Sequence, residues 1–196
     1  MPARRAALLL AGVTLAVVPA GCGAFEEPPP PTRITAAPED APTPPASTEG
    51  ATVADLAFAQ RMVPLHEQAL ELADLVPGRT DSPELLALAE EIPATRRPEI
   101  DRMTGWLEEW GAEVGSAPAD VPGLLAGADV EALREASGAE FDRRWLDAML
   151  AHHEGVVSVA ETAIGAATDR PTVELAEDVV RVHRSEAARM QAMLGS

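Results

Sequence analysis

The stretch Phe141 to Ala160, FDRRWLDAMLAHHEGVVSVA, organises this chain. Met149 is followed three and four residues later by His152 and His153, and on a helix residues at those spacings share a face. A thioether and two imidazoles pointing one way form half a shell for a transition metal, copper above all. The first half of the chain holds a weaker copy, Phe58 to Ala73, FAQRMVPLHEQALELA.

A shift of 87 residues aligns the two copies without a gap. Asp55 meets Asp142, Met62 meets Met149, His66 meets His153 and Glu67 meets Glu154. The match runs on through Leu88-Ala89-Glu90 with Leu175-Ala176-Glu177, Glu99 with Glu186, and Arg102-Met103 with Arg189-Met190. Each copy therefore reads as a helical hairpin, about 52–110 and 138–196.

Periodicity and caps predict four long helices. The first covers Thr52 to Val76, opened by a Thr52/Asp55 capping box. The second runs from Ser82 or Pro83 to Trp110 and closes at Gly111. The third covers Gly138 to Ala167, capped by Ser137 with Glu140. The fourth runs from Pro171 to Leu194, capped by Asp169. A loop from Ala112 to Ala128 and a short helix near Asp129 to Ala136 lie between the hairpins. No alternating strand pattern appears, and aromatic residues make up only 3% of the chain. The expectation is an all-α domain, a ferritin-like four-helix bundle of two repeated hairpins joined by a long connection. Pro64, Pro93 and Pro98 fall inside predicted helices. Each removes a backbone donor, which predicts kinks and a break in the second helix between Pro93 and Pro98.

Residues 1–21 read as an export signal. Arg4 and Arg5 precede the apolar run Ala6 to Val18, which is too short to span a bilayer comfortably. The run ends in Pro19-Ala20-Gly21-Cys22, which resembles a bacterial lipobox, with Pro19 where Leu is usual. Cys22 is the only cysteine, so no internal disulfide exists, and lipidation gives it a role. Residues 22–50 are rich in Pro, Thr, Ala and Glu and suit a solvated tether. Residues 51–196 are left to fold as one domain. The expected setting is extracytoplasmic, with the membrane a partner only through the N-terminal lipid.

The formal charge is −17, and there is no lysine. Without Arg4 and Arg5, 13 arginines face 32 acidic residues, about −19. Such a surface disfavours nucleic acid and suits a cation.

The four histidines, His66, His152, His153 and His183, all fall near helix midpoints. Mid-helix positions share one layer whichever way the helices run. That layer would hold His66, Arg96, one of His152 and His153, and His183. Met62, Met149, Glu99 and Glu186 stand one turn away on the same faces. Adjacent histidines diverge by about 100°, so one of the pair is expected to face the interior. The other would face a groove beside the last helix, where His183 meets it. Packing alone can also account for single Met and His residues on such stripes. Glu99 and Glu186 could instead pair with Arg96 and with Arg184 or Arg189.

The run Phe141-Asp142, Trp145, Met149, His152-His153-Glu154-Gly155, with Ala176-Glu177, Glu186 and Met190, resembles the domain of unknown function 305 family. The resemblance spans about residues 52–194 and includes Trp106-Leu107 and Trp110-Gly111. It implies an exported, ferritin-like helical protein, some members of the family being copper-binding. Family repeats carry Met-x-x-His-His and a Met six residues after the second His. Here Leu65 replaces the first His of repeat one, and Leu72 and Val159 replace the later Met. Arg96 and His183 stand where the family has Gln. A buried guanidinium repels a cation and keeps its charge. On this reading the first site is degenerate and the second survives.

The leading expectation is a surface-tethered metal-binding protein for copper sequestration or delivery. Its ligands would come from Met149, His152, His153 and His183, with Glu186, and with His66 and Met62 contributing little. The shell is either held within one bundle or shared between subunits of a homo-oligomer. The alternative is a helical interaction module that has lost metal binding. An enzyme is not expected. Di-iron bundles need Glu-x-x-His, and Val63, Met149, Leu150 and Val180 stand where that Glu belongs. No Ser-His-Asp grouping stands out either.

Overall fold

The computed structural model describes residues 51–115 and 120–195. The expected export signal, the Cys22 lipidation site and the tether to residue 50 lie outside the described residues. Five helices and no strand occur among the described residues, so the domain is all-α. They are α1 (Val53–Asp74), α2 (Pro83–Glu109), α3 (Gly127–Glu135), α4 (Gly138–Ala166) and α5 (Arg170–Leu194).

Three of the four expected caps form. Thr52 and Asp55 make a reciprocal capping box on α1. Ser82 accepts from the Leu85 amide ahead of Pro83, and Asp169 accepts from the Thr172 amide. The buried Asp55 carboxylate also accepts from the Asp169 amide at 3.1 Å, which ties the start of α1 to the start of α5. The Ser137/Glu140 box does not form. Gly138 has φ +60°, and its amide is taken by the Arg79 carbonyl at 2.7 Å. The helix therefore starts from a left-handed residue held by a distant carbonyl, and not from a side-chain cap.

α2 runs unbroken through Pro93 and Pro98, contrary to the expected break, and α1 likewise continues through Pro64. Leu85, Leu88, Ile92, Arg96, Met103 and Leu107 form one fully buried face on α2 that spans both prolines. Burial of that face, at about 1.5–3 kcal/mol for each large apolar side chain, outweighs the roughly 3 kcal/mol that each interior proline costs.

α1 packs on α2, α4 on α5, and α1 on α4. The core is split in two. One apolar cluster joins Leu72, Leu88, Ile92, Trp145, Met149 and Met190. The other joins Phe58, Met62, Met103, Leu107, Val156 and Val179. Each long helix leaves one cluster and enters the other across a polar position at its middle. α1 and α5 cross in one sense, and α2 and α4 in the opposite sense.

The connection after α2 returns over α4. Gln68 on α1 clamps it by donating to the Leu125 carbonyl and accepting from the Leu125 amide. Gly123 then passes Gly155 of α4 backbone to backbone. A Cβ on Gly155 would stand 2.3 Å from the Gly123 Cα. No helix among the described residues is long and apolar enough to cross a membrane.

This crossing makes a prediction. Gly155→Ala should lower the unfolding free energy by about 2–3 kcal/mol, because the new methyl meets main chain that cannot yield. Gly105→Ala, in the same kind of helix interior but facing open space, should raise it by up to about 1 kcal/mol. Urea denaturation of the two variants beside the parent measures both.

Candidate metal centre

The polar positions at the middle of the four long helices converge. His66, Arg96, His153 and His183 are all fully or almost fully buried, and Glu186 is 8% exposed. The sequence puts them there because each replaces one residue of an otherwise apolar stripe. On α5 the stripe runs Val179, His183, Glu186, Met190, and on α4 it runs Met149, His153, Val156.

The rings of His153 and His183 lie 4.7 Å apart between centroids. The His66 ring stacks on the other side of His183 at 5.8 Å. His153 Nε2 lies 2.8 Å from Glu186 Oε2. His66 Nε2 lies 2.7 Å from Glu99 Oε2. The second contact is off the hydrogen-bond direction, which leaves both of its buried atoms without a formal partner. One donor atom from each of His153, His183 and Glu186 falls within 4.8 Å of the others.

Hydrogen bonds to oxygen set the tautomers of three rings. His183 Nδ1–H donates to the Val179 carbonyl one turn back at 2.8 Å. His152 Nδ1–H donates to the Gly123 carbonyl at 3.0 Å. His153 Nε2–H donates to Glu186. The opposite nitrogens, His183 Nε2, His152 Nε2 and His153 Nδ1, are buried with no partner. In a neutral ring each is a bare lone pair. A ring held through one nitrogen with the other free is the arrangement that prepares histidine for a metal.

Arg96 lies in the same layer, wholly buried. Its Nη2 donates to Glu186 Oε2 at 2.5 Å, and Nη1 donates to Thr95 Oγ1 at 2.9 Å. Glu186 Oε2 thus accepts from Arg96 and His153 together. Burial works to raise the Glu186 carboxyl, but the His153 hydrogen bond and the Arg96 charge outweigh it and hold the group below its ordinary range. Burial pushes His183 well below the usual imidazole value, helped by the Arg96 charge. It also lowers His66, although Glu99 pulls the other way. His152 is driven down to about 3, again by burial first and then by His153. An open cleft between α2 and α5, lined by Glu91, Thr95, Ser185, Glu186 and Arg189, leads from the surface to the Glu186 carboxylate.

Of the residues expected at a site, His153, His183, Glu186 and His66 come together. Met149 and Met62 pack into the two separate apolar clusters on either side of the layer. The adjacent histidines divide otherwise than expected. His153 is the ring that both faces the interior and meets His183, whereas His152 turns to the connection at Gly123 and not to α5. The reason is the Gly123–Gly155 crossing, which brings a carbonyl to His152. Arg189 and Arg184 are engaged at the surface, with Glu91 and Glu161. The Gly123 carbonyl has no signal in the sequence. The Val179 carbonyl does, because it lies four residues before His183 on one helix.

The lowered histidines make stability pH-dependent. They are neutral in the fold and titrate near 6.5 when unfolded. Their contribution is complete above about pH 6.5 and is lost as pH falls, by up to about 1.4 kcal/mol per pH unit for each ring. The urea midpoint of metal-free protein should therefore drop steadily from pH 7 to pH 4. His152→Gln should flatten that slope, since its share of the loss extends down to about pH 3.

Comparison with known proteins places these features. The sequence profile of the family described as "Domain of unknown function (DUF305)" matches residues 55–194. A DUF305 protein of Streptomyces coelicolor, assigned as secreted, is 31% identical with a TM-score of 0.69, over 72% of this chain and 91% of that one. A DUF305 fragment from Deinococcus radiodurans is 29% identical with a TM-score of 0.67, over 74% of this chain and 98% of that one. CopM in its Cu(I)-bound form is 28% identical with a TM-score of 0.61, over 71% of this chain and 94% of that one. CopM is also solved with Cu(II), with silver and in the apo form. No curated protein matches the chain at the sequence level. With the profile reaching into all five helices, the chain belongs to the domain of unknown function 305 family.

Proposed function

We propose that this chain is an extracytoplasmic metal-binding protein, not an enzyme, and that its ion is copper, held for sequestration or delivery. The observation that carries the reading is the buried set His153, His183 and Glu186, whose donor atoms lie within 4.8 Å of one another. Two donors on one ion at ~2 Å each stand at most about 4 Å apart, so small side-chain rotations close the shell. His183 Nε2 supplies an unpartnered lone pair, His153 Nε2, already 2.8 Å from Glu186, gives up its proton to take the ion, and the Glu186 carboxylate supplies charge. Imidazoles with a carboxylate suit copper. The cleft to Glu186 gives an ion a route from solvent. All three donors come from one chain, so the shell needs no second subunit. His152 is the reserve ligand at the edge of the layer, and Met149 and Met62 act through packing. The copper and silver forms of CopM support the choice of metal. The export signal and lipid anchor read at residues 1–22 supply the setting.

A second reading has one specific observation behind it. Arg96 already neutralises Glu186, which would suit a helical interaction module that has lost its metal.

The two readings separate in one experiment. Mature, untagged chain titrated against a chromophoric Cu(I) chelator should take up about one equivalent. His153→Ala with His183→Ala should weaken that uptake at least about 100-fold, and His66→Ala less than about tenfold. An ion present at 100 times its dissociation constant adds about 2.7 kcal/mol of stability, so the melting temperature should rise with copper. An unchanged melting temperature, with no uptake of Cu(I) or Cu(II), leaves only the interaction module.

A further inference from the structure

We propose that Arg96 is the specificity-determining residue of the His153/His183/Glu186 site, a built-in cation that restricts the site to singly charged metal ions. The inference rests on the metal-binding reading above and adds to it which ions are admitted.

Arg96 is wholly buried at the middle of α2. Its guanidinium keeps its charge at any pH the protein meets. It reaches the same Glu186 oxygen that receives His153 Nε2, at 2.5 and 2.8 Å. A metal drawing on Glu186 therefore always has a fixed positive charge as neighbour. Position 96 is also the counterpart, 87 residues earlier, of His183. Where one half of the layer offers an imidazole, the other offers a cation of its own. His66 and Glu99, the counterparts of His153 and Glu186, stand 2.7 Å apart beside it.

The charge count of the layer gives the sign of the effect. Counted with ligating imidazoles neutral, as metal binding requires, Glu99 and Glu186 set two negative charges against the one positive charge of Arg96. One net negative charge remains. A monovalent ion brings the layer to neutrality. A divalent ion leaves a net positive charge among side chains that are mostly buried, where an uncompensated charge is expensive. Without Arg96 the layer as a whole, Glu99 included, would hold two negative charges and would suit a divalent ion. A purely structural Arg96, tying α2 to α5, would affect ions of either charge alike.

Repulsion by a fixed charge grows in proportion to the ionic charge. Removing it should therefore change the logarithm of affinity twice as much for a divalent ion as for a monovalent one. Ag(I) and Zn(II) are suitable probes, since both are redox-inert. The mature chain is titrated with each in competition with a chelator, as wild type, Arg96→Gln, Arg96→Met and Arg96→Lys. The neutral variants should gain on the order of tenfold for Ag(I) and on the order of a hundredfold for Zn(II). Arg96→Lys, which keeps the charge, should leave the ratio of the two affinities within about threefold of wild type. An equal gain for both ions, or none, overturns the proposal. Wild type alone also tests it without depending on how the variants fold, because Zn(II) binding as tight as Ag(I) overturns it. If no form binds Ag(I) or Zn(II), the metal-binding reading falls and this inference falls with it.

Discussion

The gathering of six ionisable side chains, five of them buried, at the mid-depth of a small helical domain is the constraint on which the rest of the structure depends. His66, Arg96, Glu99, His153, His183 and Glu186 interrupt what would otherwise be one continuous apolar core. An unpaired charge in such a place costs several kcal/mol, and pairing offsets that cost only when the geometry is right. The shared oxygen of Glu186 supplies the geometry, because Arg96 from α2 and His153 from α4 meet on it. That one atom joins three helices. It also explains why α2 has to continue through two prolines, since a break there would misplace Arg96.

The histidines show how a fold prepares a lone pair. Three of the four rings are each pinned through one nitrogen by an oxygen that has its own reason to be present. For His183 it is the carbonyl one turn back on its helix. For His152 it is the main chain of the connection where it crosses a glycine. For His153 it is the Glu186 carboxylate. Burial then keeps His152 and His183 neutral. The methionines behave differently. Met149 and Met62 carry the softer ligand atom, but both lie among leucines, phenylalanines and other apolar residues, where an unbranched thioether serves as filler.

Much of the architecture was legible from local chemistry. Thr52 with Asp55, Ser82 before Pro83, Gly111 and Asp169 mark helix ends by interactions within a few residues, and the structure makes them. The mid-helix positions of His66, Arg96, His153 and His183 also required no tertiary knowledge, since counting from the helix ends locates them. The failures share a cause. Ser137 looks like a cap until a carbonyl from residue 79 takes the next amide. Pro93 and Pro98 look like breaks until a long buried face holds α2 straight through them. His152 looks like a partner for His183 until the connection arrives at Gly155.

By itself, then, the sequence determined the all-α class, the helix boundaries, the family, and the depth at which the polar residues would lie. Those properties depend on periodicity and on contacts a few residues apart. Only the tertiary structure decided which histidine faces which neighbour, that Arg96 reaches Glu186 across 90 residues of chain, and that the thioethers stay in the apolar layers. A helix sets how deep a side chain lies. The azimuth at which it meets another helix comes from packing among distant segments, and here a glycine-to-glycine crossing and one shared carboxylate oxygen set it.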